Sequence, residues 1–228
     1  MSAKGDLEKV KQIFSYVNKE NTSVDELGVK NNEANKNFYF INLFSKLIKE
    51  KEKQRLVDIK SDFKGRTPLI TAAACGHHQI CQYLISEQKA NLEARDYVQG
   101  TALIHAVKHC EVIKVLLKYN ANCKAKDKIG SHAAYWAAKF GHLDALKMLV
   151  EEDGDVIDLK GWNGQTPLIA ASIYGRVDVC KYLVEEKNAN VNLKDDDGKT
   201  ALQHTSIQQT SIKNMDIIRI LRKEGLSN

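Results

Sequence analysis

One pattern recurs along most of the chain at a spacing of 31 to 34 residues, and it limits the possible folds more than any other feature. Each copy has a Gly-x-Thr-like start, an alanine-containing apolar stretch, a break and a second apolar stretch. Internal repetition at such a period is typical of repeat architectures. The clearest copies are 65-GRTPLITAAACGHHQICQYLI-85, 130-GSHAAYWAAKFGHLDALKMLV-150 and 164-GQTPLIAASIYGRVDVCKYLV-184. A shorter copy is 100-GTALIHAVKHCEVIKVLL-117, and the last begins as 198-GKTALQHTSIQQ and resumes as 216-DIIRILRK-223.

Each copy predicts two short helices joined by a turn. Thr67 and Thr166 stand where a helix N-cap is expected, and Pro68 and Pro167 follow at the first helical position, where a missing N–H costs nothing. These are the only two prolines of the chain, so they mark one repeat position. The aligned cap residues are Thr67, Thr101, His132, Thr166 and Thr200, and the first helix is predicted to end at Gly76, Gly141 and Gly175.

The second helix carries apolar residues at helical spacing and leads into a polar loop such as 188-NANVNLKD-195. Together, TPLI-x-AA-x-x-GH-x-x-x-CxYLI and NAN-x-x-x-x-D resemble the ankyrin repeat. The resemblance covers residues 56–224 as about five units, which start near residues 65, 99, 130, 164 and 198. It implies an all-α fold, an ankyrin-repeat solenoid of stacked helix-turn-helix units with β-turn or hairpin fingers. It also implies that the concave face, made of finger tips and first helices, binds other proteins.

Several residues depart from the family pattern. The histidine of the usual TPLH motif is replaced by Ile70, Ile104, Tyr135, Ile169 and Gln203. His132 takes the place of the cap threonine in the third unit, where the loss of a hydroxyl cap costs about 1 kcal/mol. The second unit lacks the Gly-His turn between its helices, and the fifth carries an insertion around 208-QQTSIKNMD-216.

The N-terminal region is less regular than the rest. The segments 5-GDLEKVKQIFSYV-17 and 38-FYFINLFSKLIKEKEK-53 each resemble a lone second helix of an ankyrin unit. We therefore interpret residues 1–60 as degenerate ankyrin-like helices that cap the stack, and residues 61–228 as the ankyrin repeat domain. A separate small helical domain is the alternative interpretation of residues 1–60.

The stretch 71-TAAACGHHQIC-81 holds the residue types of a metal site or an activated thiol. The repeat register argues against both. Cys75 ends the first helix and Cys81 faces the core from the second, whereas a structural zinc site needs four converging ligands. Cys110 and His109 are adjacent, and adjacent helical residues do not face each other. We expect no catalytic residue, no metal site and no cofactor; bound zinc or a reactive Cys75 would instead indicate a metalloprotein or an enzyme.

The candidate binding residues occupy repeat positions that neither pack nor cap. They lie on the finger, three or four residues before the cap, or at the end of the first helix, seven or eight residues after it. Apolar side chains there have little core to enter, and exposed apolar patches mark interaction sites. The alternative is that each ring packs on its own finger or the next, whereas Trp136 is predicted to face the core between the helices. The predicted partner-binding residues are Phe63, Tyr97, Ile129, Phe140, Trp162, Ile173 and Tyr174.

Charged residues beside these positions offer further contacts. They are Lys64, Arg66, Lys108, Lys128, Lys139, Asp196 and Asp197. The net charge is +5, and the surplus is not gathered into one block apart from 46-KLIKEKEKQR-55, where Lys and Glu alternate. The alternative function, binding of an anionic ligand or nucleic acid through a basic surface, predicts a strong dependence on salt.

The five cysteines include no CxxC pair, and the start MSAKGDLEKVKQ lacks the apolar core of a signal peptide. We therefore expect a reducing compartment: the cytoplasm, the nucleus, or the cytosol of a host cell if the chain is a pathogen effector. No run approaches the roughly 18 apolar residues of a membrane span. The expected function is a non-catalytic protein–protein interaction module of the adaptor, inhibitor or substrate-receptor type. Its expected partner is another protein or a peptide segment, not nucleic acid or a membrane, and the chain is expected to be a monomer.

Overall fold

A computed structural model describes residues 8, 11, 58, 60, 64–207 and 212–225. The helices are α1 Pro68–Cys75, α2 His78–Ser86, α3 Ala102–His105, α4 Cys110–Lys118, α5 Ala133–Phe140, α6 Leu143–Glu152, α7 Pro167–Ile173, α8 Val177–Lys181, α9 Ala201–Ile207 and α10 Ile212–Gly225. Short 3₁₀ turns span Gly154–Ile157 and Trp162–Gly164, and a π turn follows α8 over Tyr182–Glu186. The described residues include no strand, and the predicted all-α class is confirmed.

The helices α1 and α7 start at the predicted threonine caps, and α1 and α5 end at the predicted glycines, whereas α7 ends at Tyr174, one residue before the predicted Gly175. The hydroxyl oxygens of Thr67 and Thr166 each accept a hydrogen bond at 3.3 Å from the backbone N–H three residues further on. α1 and α5 end at Gly76 and Gly141, whose φ angles of 82° and 78° lie in the left-handed region that glycine adopts without a steric cost. His132 forms no side-chain cap bond, in agreement with the loss of the hydroxyl at that position.

The helix pairs share one continuous core. First helices contact one another in the order α1, α3, α5, α7 and α9, while α2, α4 and α6 form a second row and α8 contacts α10. Small residues on the first helices let the backbones approach closely, and the leucines of the second helices fill the space beside them. The fully buried members include Ala72, Ala138, Ala171, Leu84, Leu116, Leu149 and Leu183.

A tight turn, the finger, leads into each first helix. The second to fifth fingers comprise residues 96–100, 127–131, 161–165 and 195–199, and in each the first N–H donates to the carbonyl four residues later at 2.8–3.1 Å. Backbone hydrogen bonds also join neighbouring fingers, and these fix the spacing of their tips. They run from Tyr97 N–H to Lys64 O at 2.9 Å, from Lys128 N–H to Val98 O at 2.8 Å and from Asp196 N–H to Asn163 O at 3.1 Å.

The irregular parts of the repeat follow the sequence. α3 has only four residues, and in the second unit, which lacks the Gly-His turn, residues 106–109 lead from it into α4. Almost all of residues 1–60 lies outside the described part of the chain, so their interpretation as capping helices stays a prediction.

Candidate functional site

Several of the predicted partner-binding side chains are apolar and exposed. Ile173 differs from them, because it is half-buried and packs against the core. Phe63 lies outside the described residues. The others are termed the apolar face: Tyr97 (61% exposed), Ile129 (49%), Phe140 (48%), Trp162 (45%) and Tyr174 (44%).

The fingers hold three members of the apolar face, and the ends of α5 and α7 hold Phe140 and Tyr174. Tyr97 lies against the preceding finger, since a Cβ added at Gly65 would collide with the Tyr97 ring. The ammonium of Lys60 also lies 5.4 Å from the centre of that ring. Packing on a neighbouring finger, the alternative role, therefore applies in part to Tyr97, although most of its surface is exposed.

An aromatic row links the third and fourth units. Phe140 stacks on Trp136 with ring centres 5.5 Å apart and an angle of 17° between the planes. The Lys139 ammonium lies 4.8 Å from the centre of the Trp136 ring and 4.9 Å from that of Tyr174, at cation–π distance from both. Trp136 packs against the core as predicted, but it is only half-buried and its other side belongs to this row.

An aspartate five residues before the cap braces three of the fingers. Its Oδ1 accepts backbone N–H groups of its own turn, as Asp127 does from Ile129 and Ser131 at 3.1 and 2.8 Å. Its Oδ2 binds a side chain nine residues further on, in the first helix. The pairs are Asp96 with His105 Nε2 (2.8 Å), Asp127 with Trp136 Nε1 (2.8 Å) and Asp195 with His204 Nε2 (2.6 Å).

These braces were not predicted from the sequence. The available signal was an aspartate nine residues before a histidine or tryptophan in three units, and no such pair in the fourth, which has Gly161 and Ala170 at the two positions. The usual family motif places its histidine one residue earlier, which drew attention away from His105 and His204.

Burial and hydrogen bonding shift the pKa values of the histidine and aspartate residues in the braces. Burial lowers the pKa of His105, Arg66 acts in the same direction, and Asp96 opposes them. Neutral His105 can still donate its Nε2–H to the Asp96 carboxylate. Burial alone would raise the pKa of Asp195, but hydrogen bonds from the Lys199 backbone N–H and from His204 outweigh it and place that pKa below its usual value.

A groove of about 350 Å³ opens between the second and third units. Val98, Ile104 and Val107 form one wall, and Trp136 and Phe140 form the other. Polar groups of Lys108, Asp127, His105 and His142 complete the lining. Phe140 and Lys108 were predicted from the sequence as separate contacts, and the fold brings them to one groove.

The predicted charged contacts fall into two groups. Some are already engaged within the chain: Arg66 Nε lies 3.8 Å from Asp96 Oδ2, Lys139 contacts two rings, and Asp197 Oδ2 accepts a hydrogen bond from the Asn163 amide at 3.0 Å. Others face solvent. These are Lys108, Lys128 and Asp196, and Lys64 is exposed as well but also has a contact within the chain.

Three further cations, which were not predicted from the sequence as contacts, donate to backbone carbonyls within the chain. Lys126 and Lys160 each donate from Nζ to the carbonyl 34 residues further on, at 2.8 Å. Arg95 donates to the Lys126 carbonyl at 2.5 Å, so the series runs from Arg95 to Lys194. Part of the positive charge therefore ties successive loops together.

The two cysteines of the stretch 71–81 lie in different surroundings. Cys81 is fully buried, as is Cys180, and burial raises the pKa of each thiol to about 12. Cys75 is exposed at the end of α1. Within the part of the chain that the structure describes, no group of three or more His, Cys, Asp or Glu residues is placed to hold a metal ion. None of the described helices is both long and apolar enough to cross a membrane.

Comparison with known proteins agrees with this geometry. A family profile of ankyrin repeats in three copies matches residues 32–127 and 134–228, and a profile of many copies matches residues 108–150. The three-copy profile matches from residue 32, whereas the resemblance read from the sequence began at residue 56. Together the matched residues cover well over half of the chain.

Individual relatives share only part of their length with this chain. It is 38% identical over 96 residues to the probable E3 ubiquitin-protein ligase XBOS32 of Oryza sativa subsp. japonica, which is 40% of this chain and 19% of that protein. It is 36% identical over 89 residues to the putative ankyrin repeat protein FPV022 of Fowlpox virus (strain NVSL), 39% of this chain and 14% of the relative. It is 31% identical over 112 residues to neurogenic locus notch homolog protein 1 of Homo sapiens, 48% of this chain and 4% of the relative.

The chain thus spans less than a fifth of each of these relatives. The matched profiles and the stacked helix pairs together show that this chain belongs to the ankyrin repeat family.

Proposed function

We propose that the chain is a non-catalytic module that binds a partner protein through its finger tips and apolar face. Ankyrin repeats generally mediate protein–protein interaction. The observation that carries the proposal is that the five side chains of the apolar face stay 44–61% exposed at finger and helix-end positions of neighbouring units. Covering such apolar surface with a partner is favourable, and aromatic residues of this kind often dominate the binding energy.

The charges support a protein partner over nucleic acid. Arg66 and Lys139, both near the apolar face, contact other side chains, and Lys126 and Lys160 donate to backbone carbonyls. A surface that binds a phosphate backbone instead has clustered cations with no partner inside the protein. Only part of the positive charge near the apolar face is therefore available to a phosphate backbone, at exposed residues such as Lys108 and Lys128.

Adaptor, inhibitor and substrate-receptor roles would all use the same surface. The rice relative is named a probable E3 ubiquitin-protein ligase, which makes a substrate-receptor role one form of the proposal. The names of the notch relative and the fowlpox protein do not mention ubiquitin ligation. The fold is common to all three roles, so the identity of the bound partner protein distinguishes them. We further propose that this partner is met in the cytoplasm or nucleus.

The test is partner capture from a cell lysate with quantitative mass spectrometry. The full chain is compared with a Trp162→Ala/Tyr174→Ala variant and with Met215→Ala, a control that truncates a side chain 56% exposed on α10. Thermal unfolding verifies that all three are folded. Proteins captured by wild type and Met215→Ala but lost from the double variant support the proposal. The same proteins captured by all three would contradict it.

A further inference from the structure

The groove between the second and third units is small and well defined. Its volume of about 350 Å³ lies near the lower end of the roughly 300–1,000 Å³ found for ligand pockets. It is open to solvent, because Val98 is 55% exposed and Phe140 is 48% exposed at its walls. A space of this size, open on one side, admits one or two side chains of a bound segment.

The apolar walls of the groove favour an apolar ligand group. Val98 and Ile104 face the stacked rings of Trp136 and Phe140 across the groove. These are aliphatic and aromatic surfaces, and burying them against another apolar group removes them from water. A large side chain such as Leu, Phe or Trp provides the matching surface.

The polar residues of the groove differ in whether they already form hydrogen bonds or ion pairs within the chain. Asp127 accepts two backbone hydrogen bonds and one from the Trp136 indole. His105 is bound to the Asp96 carboxylate. Lys108 is exposed, and it forms no ion pair with any residue of the described ranges. The groove therefore presents one available positive charge beside an apolar space.

We propose that this groove binds a large apolar side chain of a partner segment together with a neighbouring carboxylate, which pairs with Lys108. The inference rests on the proposed function, since Phe140 belongs both to the apolar face and to the groove. It deepens that function by specifying the chemistry of the partner. The bound segment carries an aromatic or aliphatic residue next to Asp or Glu.

Two probes that share a phenyl ring on a three-carbon chain but end in groups of opposite charge test this directly. They are 3-phenylpropanoate and 3-phenylpropylamine, titrated into the full ¹⁵N-labelled chain and followed by NMR. The chain has two tryptophans, so it has two indole N–H signals. Trp136 lines the groove and reports on it, whereas Trp162 lies on the fourth finger and serves as an internal control. The Trp162→Phe variant assigns the two signals.

We expect the Trp136 signal to shift until it saturates and the Trp162 signal to change little. The carboxylate probe should bind about two- to fivefold more tightly than the amine probe. This ratio is what an exposed ion pair contributes. Lys108→Glu should reverse the order of the two probes. Lys181→Glu makes the same charge change at an exposed residue of α8 and should leave the order unchanged.

Equal affinity for the two probes in the wild type would overturn the inference, as would an unchanged order in Lys108→Glu or a Trp136 signal that does not move. The experiment uses no partner protein, so its result is separate from that of the capture experiment. If the groove fails to select the carboxylate while Trp162→Ala/Tyr174→Ala still loses its partner, the proposed function stands and the specified chemistry does not.

Discussion

Trp136 donates its indole N–H to Asp127 Oδ2 at 2.8 Å, in the place where histidines bind the equivalent aspartates of the second and fifth fingers. The bond joins a finger to the helix that follows it. Ile129 stands two residues after Asp127, and Phe140 stacks on Trp136. This brace therefore holds two members of the apolar face in fixed positions relative to each other.

A double-mutant cycle measures the brace. Asp127→Asn keeps one oxygen for the backbone N–H groups of the finger and places an amide NH2, which cannot accept, at the Trp136 indole. Trp136→Phe removes the donor but keeps an aromatic ring, and the double variant carries both changes. We expect a coupling free energy of about 1.5–3 kcal/mol in urea unfolding, because a hydrogen bond to a charged group contributes about this much. Destabilisation that adds within about 0.3 kcal/mol would show that the bond makes no contribution.

The fourth finger has Gly161 where other fingers have a bracing aspartate, because the ring of Tyr135 occupies the space. A Cβ added at Gly161 would come within 2.8 Å of Tyr135 Cδ2. Gly161→Asp should therefore destabilise the chain by about 1–3 kcal/mol through overpacking. The cost should fall when Tyr135 is replaced by isoleucine, the residue found at this repeat position in Ile70, Ile104 and Ile169.

Tyr135→Ile alone is the reference for that comparison, since it loses the hydrogen bond from the Tyr135 hydroxyl to Gln165 Oε1 at 3.2 Å. Urea unfolding of the two single variants and the double variant gives the coupling. A Gly161→Asp cost that is the same in both backgrounds would mean that the Tyr135 ring is not what excludes the side chain.

His132 makes stability depend on pH. It is fully buried, its Nε2 pairs with Leu159 O at 3.0 Å, and burial lowers its pKa to about 4, with Lys126 acting in the same direction. Because the unfolded chain has a histidine pKa near 6.5, it takes up the proton first as pH falls. The stabilisation is full above about pH 6.5 and is lost as pH falls toward 4. We expect His132 to account for a loss of about 2 kcal/mol between pH 7 and pH 5.

Urea unfolding at pH 7, 6 and 5 checks this contribution. His132→Asn provides a side chain that can cap α5 and does not titrate, so it should lose less stability over the same range. His78→Gln, at the start of α2, is the matched control and should keep most of the pH dependence. An equal loss of stability in wild type and His132→Asn would rule out His132 as the source.

The register of the repeat could be predicted because it depends on local chemistry. A threonine cap with a following proline specifies where a helix begins, and a glycine with positive φ specifies where it ends, as Thr67, Pro68 and Gly76 do. The exposure of residues at the helix end depends instead on which way each one points. Successive helical residues differ by about 100° in direction, so Ile173 packs inward while the next residue, Tyr174, faces out.

The braces and the groove could not be predicted in this way. The bond from Trp136 to Asp127 crosses from a helix to a finger, and no helical or strand period places residues nine apart side by side. The groove forms only when α3 and α5 are packed together, which brings Lys108 near Phe140 from a different unit. Such relationships depend on the packing between units, which the sequence of one unit does not specify.

The affinity of a captured partner for the purified chain tests the central claim most directly. Isothermal titration would compare wild type, Trp162→Ala/Tyr174→Ala and Met215→Ala. If the apolar face is the binding site, the double variant should bind at least about tenfold more weakly, since truncating an interface hot spot costs more than about 1–2 kcal/mol. Met215→Ala should bind within about twofold of wild type, as most truncations outside a hot spot do. Wild-type affinity in the double variant would contradict the assignment of the apolar face as the site of partner binding.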